Sequence, residues 1–320
     1  MELATATFAA AGLLALSFVA LHKWMTRLAP YLEQLVAQMV VGEHVAFAPE
    51  RWAGYELIVA DASTVCRPGA KQTTARVHLA LRLTDLRVVE VHVTDHTGGE
   101  TLRRFRPERG QLWMLDRGYA NPPGIGWAIE RKADVLVRYN RGALPLYDRH
   151  GDALDVAACT SKLRKAGRSR DWEAFVHLED GTKVAGRLCA VRLPDDKATE
   201  AKERIRREQG ADATPETLAM AAFVVVFTTV PRTRIVCDLI LALYRARWQV
   251  ELDFKRSKSI TGLDRLPNFR SDTIASWIYA KLLLHQIVRK LSSLRSADAF
   301  PPSAVEAIAQ ACLRSPQQAA

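Results

Sequence analysis

The pattern of apolar and polar positions changes character several times along the chain. In residues 1–50, apolar side chains recur at near-helical spacing, which predicts a helical N-terminal segment with a break at Pro30. From Glu56 the period shortens: ELIVAD, ARVHLAL and LRVVEVHV predict three short strands, and LWMLD and DVLVRY predict two more. Three strands followed by alternating helices and strands predict an α/β fold built on a mixed sheet.

The second half of the chain divides further. Runs such as EAFVHLE and TKVAGRLCAVRL alternate with basic loops over residues 139–222, which predicts a β-rich insertion, and residues 195–209 predict an exposed basic helix. AAFVVVFTTVP predicts a buried strand, and an amphipathic helix should begin at Ser271 or Asp272. We therefore divide the chain into a helical segment, a first core part, an insertion, a second core part and a tail: 1–50, 51–138, 139–222, 223–295 and 296–320.

Composition and charge narrow the range of functions that the chain can have. The chain of 320 residues is 48% hydrophobic and 25% charged, which is typical of a globular protein, and its net charge of +10 favours a polyanionic partner. Its five cysteines form no CxxC pair and its eight histidines no HExxH motif, which argues against a zinc finger or a disulfide scaffold and fits a reducing cytoplasm. Any metal should therefore bind carboxylates, which favours Mg²⁺ or Mn²⁺.

The amino terminus carries an uncharged run from Leu3 to His22 that is close to the length of a membrane span. Thr5, Thr7 and Ser17 interrupt it, and no basic residue precedes it. We expect a buried helix that continues toward Leu35 rather than a membrane segment. A membrane-associated protein with a basic cytosolic domain remains an alternative.

The segment YRARWQVELDFKRSK carries Tyr244, Arg247, Glu251 and Lys258 in the order Y-x2-R-x3-E-x6-K. On one α-helix these four side chains fall within roughly 60° of one face, along about 21 Å. One acid among basic and aromatic groups suits a metal ligand surrounded by side chains that bind phosphates. The alternative is a solvated salt-bridge face on a helix packed against any core through its apolar residues: Leu239, Ile240, Leu243, Val250 and Phe254.

Two further acids close predicted strands. Asp61 ends ELIVAD, and Asp116 ends LWMLD ahead of Arg117 and Gly118. Acids at the carboxyl ends of neighbouring strands converge outside a sheet, where α/β proteins usually place their sites. Alternatively, each is a turn former that bonds its own backbone, with Gly118 supplying a positive φ.

Together these motifs resemble the YREK branch of the insertion-sequence-four family of bacterial DDE transposases. The helical motif matches at four positions, LDRGY closely resembles the family's second Asp motif, and TLAMAAFVVVFTTVP resembles the strand that enters the third. The resemblance covers most of Glu56 to Leu291. It implies a ribonuclease-H-like core interrupted by the β-rich insertion, with Asp61, Asp116 and Glu251 as catalytic ligands of two Mg²⁺ or Mn²⁺ ions.

The same resemblance implies a cut-and-paste reaction on double-stranded DNA, both element ends and target. Arg247 and Lys258 would bind DNA phosphates near the cut, with Tyr244 beside them as a further DNA-binding residue. The protein would act as a homodimer in the cytoplasm, at the nucleoid. Family members that hold a flipped base use a Trp before the last buried strand, where this chain offers Phe223. Trp172 is the second candidate, and for both the alternative is a core aromatic.

The flanks of the motifs are short: 60 residues precede Asp61, and 320 − 251 = 69 follow Glu251. We therefore keep a second interpretation open, in which the chain is a truncated, catalytically inactive transposase that binds DNA or inhibits transposition.

Overall fold

The computed structural model describes residues 17–40, 54–69, 72–84, 86–266 and 271–295. They form eight strands: β1 Glu56–Val65, β2 Ala75–Arg82, β3 Arg87–Asp95, β4 Gln111–Leu115, β5 Asp134–Arg138, β6 Ser169–His177, β7 Lys183–Arg192 and β8 Phe223–Thr228. The α-helices of the described residues are α1 Phe18–Val40, α2 Pro122–Glu130, α3 Val156–Ser161, α4 Asp195–Gln209, α5 Pro215–Met220, α6 Cys237–Arg245, α7 Trp248–Thr261 and α8 Ile274–Arg295.

All eight strands belong to one mixed sheet with the order β3-β2-β1-β4-β5-β8-β7-β6. Strands β1, β4 and β5 run parallel at its centre, and each remaining neighbouring pair is antiparallel. The predicted α/β class and the ribonuclease-H-like core are confirmed. The carboxyl ends of β1 and β4 therefore lie side by side at one edge of the sheet.

Both faces of the sheet are covered. Leu57 and Val59 of β1 belong to a core shared with α1, α6, α7 and α8, whereas Ile58 and Ala60 belong to a second core shared with α2. The alternation follows from the two-residue period of a strand, and double burial explains why β1 is apolar at successive positions. Side chains at odd positions of β1 thus face α6 and α7.

The N-terminal helix is not interrupted where the sequence predicted. α1 continues through Pro30, so the expected break there is wrong. A proline inside a helix removes one backbone bond, and here tertiary contacts hold the helix: Ser276 of α8 donates to the Met25 carbonyl, and Tyr279 donates to Glu33 at 2.8 Å. Residues 1–16 and 41–50 lie outside the described residues, and so does most of the apolar run.

No helix in the described part of the chain combines the length and apolar character needed to cross a membrane.

The region predicted as an insertion adds its two strands to the same sheet. β7 pairs with β8, and β6 forms the outer edge. Helices α3, α4 and α5 accompany them. The helix over 195–209 is confirmed but is not uniformly basic, since Asp195 and Asp196 occupy its first turn and Arg206 and Arg207 its last, which complements the helix dipole.

The YREK segment is divided between two helices. α6 ends at Arg245 and α7 begins at Trp248, whereas the sequence predicted one continuous helix. Across the junction the backbone bonds connect residues three apart, including Arg247 N–H to the Tyr244 carbonyl and Val250 N–H to the Arg247 carbonyl. These 3₁₀-type bonds tighten the helix at Arg247 and change the direction of its side chain relative to a regular α-helix.

Candidate active site

Asp61 and Asp116 lie side by side because each follows the last paired residue of two neighbouring parallel strands. β1 pairs with β4 only as far as Ala60 and Leu115, and both acids follow directly. Asp61 is not at a strand end as predicted, since β1 continues to Val65 on its other neighbour, β2. Its odd position directs the side chain to the face covered by α6 and α7.

Arg247 lies among three carboxylates. Its Nη2 donates to Glu251 Oε1 at 2.6 Å, its Nη1 lies 3.7 Å from Asp61 Oδ2, and its Nε lies 3.9 Å from Asp116 Oδ1. The structure therefore brings together Asp61, Asp116 and Glu251, which are 190 residues apart from first to last (251 − 61). One guanidinium is their common cationic neighbour.

Tyr244 contacts the same oxygen of Asp116 that faces Arg247. Its hydroxyl donates to Asp116 Oδ1 at 3.2 Å, and Arg247 lies 5.8 Å from the centre of its ring. Burial raises the pKa of Tyr244 above its usual value, so the phenol stays neutral and acts as a donor. Three of the four YREK side chains thus belong to one constellation.

The side chains of the site differ in their exposure to solvent. The side chains of Asp61 and Arg247 are 16% and 13% exposed, whereas those of Asp116 and Glu251 are 38% and 42% exposed. Burial raises the pKa of Asp61 to about 7, although the charge of Arg247 and the Ala62 N–H both oppose the shift. A substrate would approach from the side of Asp116 and Glu251.

The structure adds Glu100, which the sequence analysis did not identify. A Cβ placed on Gly118 would stand 1.6 Å from Glu100 Oε2, so this carboxylate lies against the turn that follows Asp116. Burial raises the pKa of Glu100, and Asp116 acts in the same direction. No pattern marked Glu100, because its position depends on how the loop after β3 folds over a distant turn.

Gly118 and Tyr119 lie beside this site in an arrangement that the sequence did not indicate. The φ of Gly118 is not positive, so the alternative in which Gly118 supplies a left-handed turn is wrong, and its missing side chain makes room for Glu100 instead. The Asp116 side chain does not cap the 3₁₀ turn Arg117–Tyr119. The hydroxyl of the fully buried Tyr119 has no hydrogen-bond partner, and the charges of Asp61 and Glu100 both act on it.

The remaining predicted residues lie apart from the carboxylates. Lys258 is in the last turn of α7, seven residues beyond Glu251 and so on the same side of the helix, about 10 Å further along it. Phe223 begins β8 and packs, partly buried, against both cores; Trp172 of β6 packs against one. Because β8 runs antiparallel to β5, Phe223 lies toward the sheet edge that carries the acids.

The described geometry is that of carboxylates around a guanidinium. Across the described residues, no three histidine, cysteine, aspartate or glutamate side chains group closely enough to hold a metal ion as they stand. The donor set nevertheless suits a hard divalent cation, because three carboxylates converge on one positive group. Nη1 of that group is buried and has no hydrogen-bond partner.

Comparison with known proteins agrees with this arrangement. The sequence family described as "Transposase DDE domain" matches residues 52–287. The chain is 29% identical over 297 residues to the putative transposase InsL for insertion sequence element IS186A of Escherichia coli (strain K12), and equally to the transposase for insertion sequence element IS421 of Escherichia coli; each alignment covers 90% of this chain and 78% of the relative.

A more distant relative is the transposase for insertion sequence element IS231E of Bacillus thuringiensis subsp. finitimus, 23% identical over 205 residues, which cover 58% of this chain and 42% of that protein. The family match includes β1, β4, α6 and α7, and with them every carboxylate around Arg247. The chain therefore belongs to the family of proteins with a transposase DDE domain.

Proposed function

We propose that this chain cuts double-stranded DNA at the ends of an insertion sequence and joins those ends to target DNA, using divalent metal ions. The observation that carries the proposal is the meeting of Asp61, Asp116 and Glu251 around one cation at the carboxyl edge of the sheet. Sites of α/β proteins lie at that edge, and the family match covers all three residues. The matched relatives are named as transposases of insertion sequences.

The same three carboxylates would hold the metal, Mg²⁺ or Mn²⁺. Two such ions in one site supply charge neutralisation at phosphorus and activate the attacking oxygen. Asp61 is the most buried of the three side chains and would be the most rigid ligand, whereas Asp116 and Glu251 border the open side.

The chain's own contribution to the reaction is positioning and positive charge. In the cutting step, a water oxygen bonds to phosphorus, the bond to the 3′-oxygen breaks, and a proton passes to that oxygen. In the joining step, the resulting 3′-hydroxyl attacks a target phosphodiester in the same way. Arg247 and Lys258 would bind phosphates near the cut, and Tyr244 holds Asp116 in place.

The partners follow from the same proposal. A net charge of +10 favours DNA, because each phosphate that a Lys or Arg neutralises releases counterions. The protein would act at the nucleoid in the cytoplasm, as a homodimer that holds both element ends. Phe223, at the start of β8, would stack against an extruded base; 2-aminopurine beside the cut would then fluoresce more on binding, and Phe223→Ala would abolish that increase.

The decisive experiment is cleavage of DNA that carries the element's own ends, with Mn²⁺. The parent should release 3′-hydroxyl ends, whereas Asp61→Asn and Glu251→Gln should lose cleavage by more than about a hundredfold and keep DNA binding. Asp264→Asn, which removes an exposed acid, is the matched control. DNA binding without any cleavage by the parent would instead support the inactive, inhibitory interpretation.

A further inference from the structure

Arg247 occupies the position that a cation must take among the three carboxylates. It contacts Asp61, Asp116 and Glu251 at once, at 3.7, 3.9 and 2.6 Å. Divalent ions lie about 2.0–2.6 Å from carboxylate oxygens. A divalent ion and the guanidinium cannot occupy the same space, so an ion that binds all three carboxylates at this position requires Arg247 to leave it.

The contacts of Arg247 are uneven, and this unevenness makes exchange possible. The hydrogen bond to Glu251 is short, but Nη1 has no hydrogen-bond partner although it is buried. A buried donor without a partner is unfavourable, and a phosphate oxygen would satisfy it. Arginine also binds phosphate with two parallel hydrogen bonds, a geometry that the three separate carboxylates do not provide.

The location of Arg247 allows its side chain to move without unfolding the core. It is the residue before α7, at a junction held by bonds between residues three apart, and its neighbours Asp116 and Glu251 are the more exposed acids of the site. Tyr244 holds Asp116 through a hydrogen bond of its own, at 3.2 Å. The guanidinium can therefore turn toward the open side while the carboxylates keep their places.

We infer that Arg247 is a latch: in the free protein it is the counter-ion of the three carboxylates, and a DNA phosphate draws it out so that divalent ions can bind. The inference rests on the proposed function, since it assumes that the carboxylates hold the metal. It makes metal loading depend on DNA, so that the free protein carries no cutting-competent site. By linkage, bound metal must in turn strengthen the contact with DNA by the same factor.

Mn²⁺ binding, followed by the electron paramagnetic resonance signal of the free ion, measures the latch without any cleavage. Arg247→Gln should bind Mn²⁺ about tenfold more tightly than the parent in the absence of DNA. A short duplex of arbitrary sequence should raise the Mn²⁺ affinity of the parent by a similar factor and leave that of the variant unchanged, because phosphates are present in any sequence.

Two further variants control for charge and folding. Arg256→Gln removes the same charge from an exposed position of α7 and should behave as the parent. Arg247→Lys keeps the charge but presents a single ammonium group, so it should fall between the parent and Arg247→Gln. Circular dichroism should show the same helix content in all of them.

The outcomes separate the latch from the function on which it rests. If Glu251→Gln loses Mn²⁺ binding but Arg247→Gln binds no more tightly than the parent, the carboxylates hold the metal and the latch is refuted. If Glu251→Gln binds Mn²⁺ as well as the parent when the duplex is present, the metal lies elsewhere and the proposed metal site itself is refuted. If Arg256→Gln binds Mn²⁺ as tightly as Arg247→Gln, the gain in affinity comes from the lost net charge and not from the position of Arg247.

Discussion

At the scale of single residues, the site depends on space as much as on charge. Gly118 has no side chain where Glu100 lies, and a methyl group there would stand 1.6 Å from the carboxylate. Gly118→Ala should displace Glu100 from Asp116 and lower the cleavage rate about ten- to a hundredfold, as small displacements in active sites do. Because a flexible side chain gives way, stability should change by no more than about 1 kcal/mol.

Gly99→Ala is the matched control, since a Cβ at Gly99 meets no atom within 4 Å. Cleavage assays and urea unfolding of both variants measure the two effects. Equal cleavage rates of Gly118→Ala and the parent would show that the position of Glu100 does not matter for cleavage.

His78 should make the folded state sensitive to acid. It is fully buried on β2, shares a hydrogen bond of 3.1 Å with Thr94, and has an unpartnered Nδ1. Burial, with the charge of Arg104, lowers the pKa of His78 to about 3. Below about pH 6.5 His78 therefore binds a proton in the unfolded chain but stays neutral in the folded protein. The free energy of unfolding falls as the pH falls toward 3.

Between about pH 7 and pH 4.5, this residue alone should cost on the order of 2–3 kcal/mol. Urea unfolding at both values checks the expectation: His78→Gln should reduce the loss, and the exposed His96→Gln should leave it unchanged. An identical loss in the parent and His78→Gln would contradict the burial argument.

At the scale of elements, the sequence predicted what depends on local pattern. The strands follow from short apolar runs, the helix over 195–209 from its continuous polar and charged character, and the acids from their places after apolar runs. The predictions from sequence were wrong where tertiary contacts determine the length of a helix or strand. Pro30 is tolerated because α8 holds α1, and β1 extends past Asp61 because β2 is longer than β4.

The candidate site shows the same division. Asp61, Asp116 and Glu251 were predicted from sequence together with their neighbours Tyr244 and Arg247. The position of the Arg247 guanidinium between the three carboxylates was not predicted, because it depends on the tight turns between α6 and α7. Glu100 could not be found either, since a contact between two loops leaves no periodic signal.

The seam between α7 and α8 keeps the helix of Glu251 in place. Asp253 is 3% exposed and accepts from Arg289 of α8, with His285 at 3.5 Å. Arg289→Met would leave a buried carboxylate without its main partner, at a cost of about 3 kcal/mol in the free energy of unfolding. The double variant Asp253→Asn with Arg289→Met should recover part of the loss, because the buried charge is then gone.

Urea unfolding measures this seam directly. The control is Lys255→Met, which removes a cation from an exposed position of the same helix and should change stability by less than about 0.5 kcal/mol. If the double variant were as unstable as Arg289→Met alone, lost packing and not the buried charge would be the cause.

At the scale of the whole molecule, the positive charge should appear in the salt dependence of DNA binding. Lys258 lies on the same side of α7 as Glu251, two turns further on, where a strand held at the carboxylates would continue. Lys258→Ala should reduce the slope of log affinity against log salt by about one unit, for any DNA sequence, because one phosphate contact is lost.

Lys197→Ala is the control, since Glu200 already pairs with Lys197 at 2.9 Å and offsets its charge. Fluorescence anisotropy between 50 and 200 mM salt gives both slopes. A parental slope in Lys258→Ala would place the DNA elsewhere on the protein, and an equal decrease in both variants would mean that the slope reports overall charge rather than a contact at this helix.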